Sequence, residues 1–328
     1  NKIKEFPVWL AEKGLKIRVD SEYAGNCINL YGNPLEKPPM EVLKQGNEAI
    51  LKYFEDIEKE GMDYIYEAKL LILGEPGSGK TSFARKIQDA HADLPEEEET
   101  TRGIDVDEWN FPYKLHDKDE KTITANIWDF GGQAIYKATH RFFLTHRSLY
   151  AIVADARKED TDFYYWMHIV ELFGEDSPVL IVINEKENRK RDLPYNSLRE
   201  RFTILKDKKE VNLKDADSED KKRFHDLLDA IKYQISHLQH IGDPIPANWK
   251  KIREKMAELE KTNKVIPLTK FREICASHKV TKRKDQDNLS RIFHDLGVFL
   301  HFQDHNILKK NIFLDKKWIL DGAYKILD

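Results

Sequence analysis

The sequence predicts an α/β protein: a domain built on a mostly parallel sheet, followed by a smaller, mainly helical, winged-helix-like portion. Three observations predict it. Between residues 64 and 240, short β-rich runs alternate with helical ones. The first of those runs stops at a glycine-rich loop that leads straight into a helical pattern. Beyond the two prolines of IGDPIPANW (241–249), three helical patterns precede short strand-like runs.

A length of 328 residues suits two or three domains. With 34% charged residues, 40% hydrophobic residues and a net charge of -4, the chain reads as a globular protein with no bias toward nucleic acid or acidic membranes. No apolar run is long enough for a membrane span, and NKIKEFPVWLAEKGL lacks the apolar core of a signal peptide. Cys27 and Cys275 lie too far apart in sequence to suggest a disulfide framework or a cysteine zinc site. A reduced, cytoplasmic setting is the simplest reading.

The elements follow in order. CINLYGNPLEKPP places Ile28, Leu30 and Leu35 around Asn33 with the spacing of one leucine-rich repeat. One repeat cannot bury its own face, so this would be the closing cap of an array; a proline-rich surface segment fits the pattern equally well. GNEAILKYFEDIEKEG reads as an amphipathic helix ending at Gly61. YEAKLLIL, VDEWNFPYKL, KTITANIWD, SLYAIVAD and PVLIVIN read as strands, with helical stretches after the first, third, fourth and fifth. The strands near 106–115 and 121–128 are close enough for an antiparallel hairpin. Charge runs at 95–100, 185–191 and 206–222 read as solvated loops and helix ends. Helical patterns at 249–261, 268–278 and 286–296 come next, then strand-like VFLHF and NIFL, then a last helix in DKKWILDGAYKIL. No basic face accompanies this portion, which argues against DNA binding.

GEPGSGKT fits G-x-x-x-x-G-K-[ST] between a strand and a helix. Glycines there let consecutive N–H groups turn inward and form an anion nest at a helix N-terminus. Gly74, Gly77, Ser78, Gly79, Lys80, Thr81 and Ser82 are the candidate phosphate contacts. Lys80 would neutralise the β- and γ-phosphates, and the Thr81 hydroxyl would ligate Mg²⁺. After KTITANIWD, the run DFGGQ gives D-x-x-G at Asp129 and Gly132, then Gln133. Asp129 suits Mg²⁺, the Gly132 N–H suits a γ-phosphate, and Gln133 suits orienting an attacking water. In TTRGID between them, Thr101 offers a second hydroxyl for Mg²⁺ and Gly103 an N–H.

This constellation resembles a small GTPase of the Ras-like class. ATHRFFLTHRSLYAIVADAR and HDLGVFLHF with DKKWILDGAYKILD further resemble the Roc and COR domains of the Roco family, as NPLEKPP with QGNEAILKYF resembles the passage from leucine-rich repeats into Roc. The resemblance implies a repeat cap and linker at 1–46, a connecting helix at 47–63, a Roc GTPase domain at 64–240 and the N-terminal half of COR at 241–328. It also implies GTP and GDP as substrate and product, Mg²⁺ as cofactor, and protein partners through upstream repeats. A homodimer contact would lie in the second half of COR, which would begin where this chain stops, so the fragment is expected to be truncated at both ends with weakened dimerisation.

The sequence also departs from the pattern. Guanine-specific proteins usually carry N-K-x-D, and VINEKEN keeps Asn184 but has Glu185 for lysine and Glu187 for aspartate. Asn184 and Glu187 are the expected base readers; a merely charged loop is the alternative. VNLK at 211–214, with Leu213, stands where the last guanine loop belongs. Pro76 replaces a residue that is usually glycine near the γ-phosphate, from which slow intrinsic hydrolysis is expected. Arg102, Arg141 and Arg147 flank the switch segments and are expected to be structural or solvent-facing. His237 and His240, spaced i, i+3 on a helix, are expected to be surface residues rather than metal ligands. Two functions compete: a GTP-hydrolysing switch, and a scaffold holding nucleotide with negligible hydrolysis. ATP use stays open because of the altered base motif, while the kinase motif set is missing.

Overall fold

The computed structural model describes residues 3–19, 25–33, 35, 37–94, 104–114, 120–131, 143–158, 161–186, 189–214, 217–319 and 322. The N-terminal segment forms α1 (Val8–Glu12), β1 (Lys16–Arg18), β2 (Cys27–Asn29), α2 (Met40–Lys44), α3 (Asn47–Glu60) and β3 (Met62–Tyr64). The central stretch forms β4 (Glu67–Leu73), α4 (Lys80–Gln88), β5 (Ile104–Lys114), β6 (Glu120–Phe130), β7 (Ser148–Asp155), α5 (Phe163–Gly174), β8 (Val179–Asn184), α6 (Tyr195–Arg201), β9 (Leu205–Val211) and α7 (Ser218–Ser236). The remainder forms β10 (Pro244–Pro246), α8 (Ala247–Glu260), β11 (Val265–Pro267), α9 (Leu268–Ser277), α10 (Arg283–Asp295) and β12 (Asn311–Phe313). These elements fall into two units, Asn1–Tyr66 with Gln239–Asp315, and Glu67–Leu238 with Lys316–Asp328.

The second of these units is organised by a six-stranded sheet in the order β5-β6-β4-β7-β8-β9. The β5–β6 pair is antiparallel, the hairpin pairing the sequence predicts, and the other pairs are parallel. All eight residues of β7 and all six of β8 are buried, as expected of parallel strands whose two faces are both covered. Each large apolar side chain sealed there contributes about 1.5–3 kcal/mol relative to exposure. Parallel register collects the C-terminal ends of four strands on one edge: Ile72 lies opposite Asp129, Leu73 opposite Ile152, and Asp155 opposite Asn184. Such an edge is where ligands bind in open α/β sheets.

Strand β9 corrects the sequence reading, which took this charge run for solvated loop and helix ends. LKDKKEV is an edge strand with only its end residues buried, so it shows no apolar alternation. Its middle carries the ion pairs Lys208–Glu210 at 2.7 Å and Lys209–Asp207 at 3.0 Å, and charged side chains of this kind guard a sheet edge against further pairing.

In the other unit, Phe6, Leu43, Ile50, Ile252, Phe271, Leu289 and Ile312 share one hydrophobic core. Helix α3 ends at Gly61, which takes φ 84°, as the sequence suggests. The Tyr53 hydroxyl on that helix donates to the Pro244 carbonyl at 2.6 Å, beside the antiparallel β3–β10 pair. Helices α8, α9 and α10 stand where the patterns place them. VFLHF, expected as a strand, contributes only a bridge from Leu300 to Phe313, and β12 pairs mainly with the unforeseen β11. In this stretch Phe299 is fully covered, with Phe271 and Phe293 edge-on at 5.6 and 5.8 Å. Residues 316–319 open the expected last helix; apart from Gly322, residues 320–328 lie outside the described residues. Helix α7 stops at Ser236, so His237 and His240 do not share a helical face, and His240 is buried rather than on the surface.

Candidate functional site

Residues 74–79 carry the chain from β4 to α4 across the edge where the strand ends collect. Gly74 takes φ 141°, and a Cβ there would sit 2.1 Å from the Val153 carbonyl oxygen, so no side chain fits. Gly79 takes φ 99° and caps α4; a Cβ on it would sit 2.3 Å from Asn184 Nδ2. The first turn of α4 carries no acidic side chain to compete for its N–H groups. Lys80, only 6% exposed, folds its ammonium back onto the loop and donates to the Glu75 carbonyl at 2.8 Å. Ser82 follows in the same turn, half-buried.

Two predicted residues from other strands meet this loop. Thr81 Oγ1 donates to Asp129 Oδ2 at 2.6 Å, joining the helix start to the end of β6. Asn184, at the end of β8, donates its side-chain amide to the Ser78 carbonyl at 3.1 Å. Leu213 is buried on the same side, its Cδ1 3.5 Å from where a Gly79 Cβ would lie. The fold thus gathers Gly74, Ser78, Gly79, Lys80, Thr81, Asp129, Asn184 and Leu213, which are scattered over about 140 residues of sequence. Thr101, Gly132, Gln133 and Glu187 lie outside the described residues, as do Arg102 and Arg141. Arg147 is buried just ahead of β7.

A hydroxyl and a carboxylate in contact at a helix N-terminus are hard oxygen donors, a set that suits Mg²⁺ rather than a softer metal. Among the described residues no group of three His, Cys, Asp or Glu could hold a metal by itself.

Sequence reading missed four further features. Glu75 accepts a hydrogen bond from Trp166 Nε1 at 3.2 Å, pinning the loop to α5. Asp155 accepts from the Arg157 backbone at 2.9 Å and its guanidinium at 3.0 Å. Burial pushes the Asp155 carboxyl up, but the Arg157 hydrogen bonds and the nearby charges of Lys186 and Arg157 outweigh it and hold it below its ordinary value. Glu185, the stand-in for lysine, turns toward α7 and pairs with Arg223. Lys186 turns the other way and donates to the Gly77 carbonyl at 3.0 Å. Motif spacing does not signal this exchange, because it depends on a helix distant in sequence.

Comparison with known proteins adds the family. Residues 69–187 match Roc, described as "Ras of Complex, Roc, domain of DAPkinase", and residues 246–328 match COR-A, "C-terminal of Roc, COR-A domain". The solved structure of Methanosarcina barkeri Roco2 RocCORdC bound to GDP aligns with a TM-score of 0.70 and 32% identity, covering 81% of this chain and 78% of that one. The chain belongs to the Roco family. Its fold is that of a Ras-like P-loop GTPase domain followed by a helical COR portion. Curated relatives of this Roco chain include the probable serine/threonine-protein kinase pats1 of Dictyostelium discoideum, 26% identical over 89% of the chain. A Roc-COR-CHAT protease of Runella zeae is 26% identical over 81% of it. The chain spans only 10% of the first relative and 30% of the second. Among the described residues of this Roco chain, no helix is long and apolar enough to cross a membrane.

Proposed function

We propose that this Roco chain is a Mg²⁺-dependent guanine-nucleotide switch that hydrolyses GTP to GDP and phosphate. The observation that carries the reading is the convergence, on one sheet edge, of the phosphate loop, the Thr81–Asp129 pair and the Asn184 amide. GDP in the related Roco2 structure supports the choice of guanine.

The loop N–H groups and Lys80 hold the phosphates and meet the charge that develops on the transferred oxygens. Thr81, Asp129 and Thr101 would hold Mg²⁺, which neutralises phosphate oxygens when bound. Gln133 orients the water for in-line attack, and Gly132 grips the γ-phosphate. Asn184 and Glu187 read the base, with Leu213 beside it. Pro76 crowds the γ-phosphate side and keeps turnover slow. Loss of the γ-phosphate releases Thr101 and Gly132, and the two switch segments relax. The repeat cap with its linker at 1–46, the helix at 47–63, Roc at 64–240 and the COR half at 241–328 are the parts of the switch. Homodimerisation, protein partners through repeats and a signalling role in the cytoplasm are part of the same proposal.

Competition of GDP against ADP on the Mg²⁺-loaded chain tests the base assignment. A preference of about a hundredfold for GDP, roughly 2.7 kcal/mol, is expected; equal affinities would refute guanine reading. Single-turnover hydrolysis should collapse in Gln133→Leu, and an unchanged rate would favour a nucleotide-holding scaffold.

A further inference from the structure

Within residues 74–82, the stretch that would cradle phosphate, Glu75 is the only acidic side chain. A carboxylate in such a loop works against its purpose. At close range it repels a phosphate. It can also accept the loop N–H groups itself, as acidic side chains do at helix N-termini. A glutamate side chain is flexible enough to do either unless something holds it.

Helix α5 supplies the hold. Glu75 is only 9% exposed, and its Oε1 accepts from Trp166 Nε1 at 3.2 Å. Trp166, 1% exposed, is itself fixed near the start of α5. Its backbone N–H donates to the Asp162 carbonyl at 3.2 Å, and the Asp162 side chain caps the helix by accepting from the Tyr165 N–H at 2.9 Å. A buried indole N–H needs an acceptor, so each side chain supplies what the other requires. The Glu75 carbonyl serves the loop instead, accepting from the Lys80 ammonium at 2.8 Å and from the Ser78 N–H at 3.3 Å. One residue thus gives its carbonyl to the loop and its carboxylate to α5.

We propose that Trp166 is a positioning residue for phosphate binding: its indole N–H holds the Glu75 carboxylate on α5, and so keeps the one acid of the loop from competing with bound phosphate or repelling it. The proposal deepens the nucleotide reading above and rests on its phosphate loop, not on its choice of base. Motif spacing gives no sign of the role, because Trp166 lies 91 residues beyond Glu75.

Calorimetric titration with inorganic pyrophosphate, and separately with Mg-GDP, tests it on the parent, Trp166→Phe, Glu75→Gln and the double variant. Trp166→Phe keeps a ring but removes the N–H, and should weaken both ligands by about tenfold, the order expected when a unit charge is freed a few ångströms away. Glu75→Gln keeps an oxygen for the indole without the charge, and should bind pyrophosphate at least as tightly as the parent. The double variant has no carboxylate to release, so its affinity should return to within about twofold of Glu75→Gln. A loss that persists in the double variant would overturn the proposal, because Trp166 would then act by packing alone. Parent-like binding in Trp166→Phe, or a loss confined to GDP, would also overturn it. Glu75→Asp leaves the buried helix untouched and covers the case in which Trp166→Phe does not fold. It keeps the charge on a side chain too short for Trp166, and should weaken pyrophosphate as Trp166→Phe does; parent-like binding there would overturn the proposal. A parent chain that binds pyrophosphate but not GDP would overturn the guanine reading while the pyrophosphate series still decides this one, and a parent that binds neither would overturn both.

Discussion

Replacing Gly79 by alanine probes the junction of loop, helix and base side in one step. At φ 99° an alanine pays for a left-handed backbone, about 1–2 kcal/mol. Its Cβ also lands 2.3 Å from Asn184 Nδ2, too close for both to stay. The amide is the part that can move, at the cost of its 3.1 Å hydrogen bond to the Ser78 carbonyl, about 0.5–1.5 kcal/mol, and an off-rotamer side chain of similar cost. Gly79→Ala should therefore destabilise the nucleotide-free chain by about 2–5 kcal/mol. The Leu213 methyl, 3.5 Å from the new Cβ, is at ordinary contact distance and adds nothing. In an Asn184→Ala background only the backbone strain remains, so the same substitution should cost about 1–2 kcal/mol. Urea unfolding of the four proteins forms a double-mutant cycle with an expected coupling of about 1–3 kcal/mol. Additive effects within about 0.5 kcal/mol would refute the proposed crowding of Asn184 and with it the geometry of the base side.

Two more outcomes follow from the structure. Asp129→Asn keeps the shape that accepts the Thr81 hydroxyl but removes the charge, so Mg²⁺ should no longer tighten GDP binding; a variant that still loses as much affinity to EDTA as the parent would exclude Asp129 from the metal site. His301 is buried between Ser290 Oγ at 2.5 Å and the Lys309 carbonyl at 3.0 Å, and burial lowers its pKa. A base whose folded pKa is depressed binds fewer protons than in the unfolded chain, so its stabilisation is present above about pH 6.5 and is lost as pH falls below it. Thermal unfolding between pH 7 and 5 should show that loss in the parent and a smaller loss in His301→Gln; identical pH profiles would refute it.

What could be read in advance was local in sequence. GEPGSGKT is legible because its glycines, lysine and threonine act within one turn of chain, and the strand before it shows as the run YEAKLLIL. DFGGQ is legible for the same reason, and the fold brings its Asp129 to Thr81. Edge strand β9 was hidden because its five middle residues are all charged and leave no apolar alternation to read, and β11 because three residues are too few to show a period. The N-E-K-E run is the sharpest case. Its letters say that Glu185 stands where a lysine is expected; the fold decides that Arg223, 38 residues away, draws Glu185 outward while Gly77 and Asp155 draw Lys186 inward. The sequence by itself determined that a phosphate loop follows the first buried strand, because the backbone angles and charge it needs are carried by adjacent residues. Which way Glu185 and Lys186 turn was decided only by tertiary structure, because the direction a loop side chain takes depends on partners from distant elements.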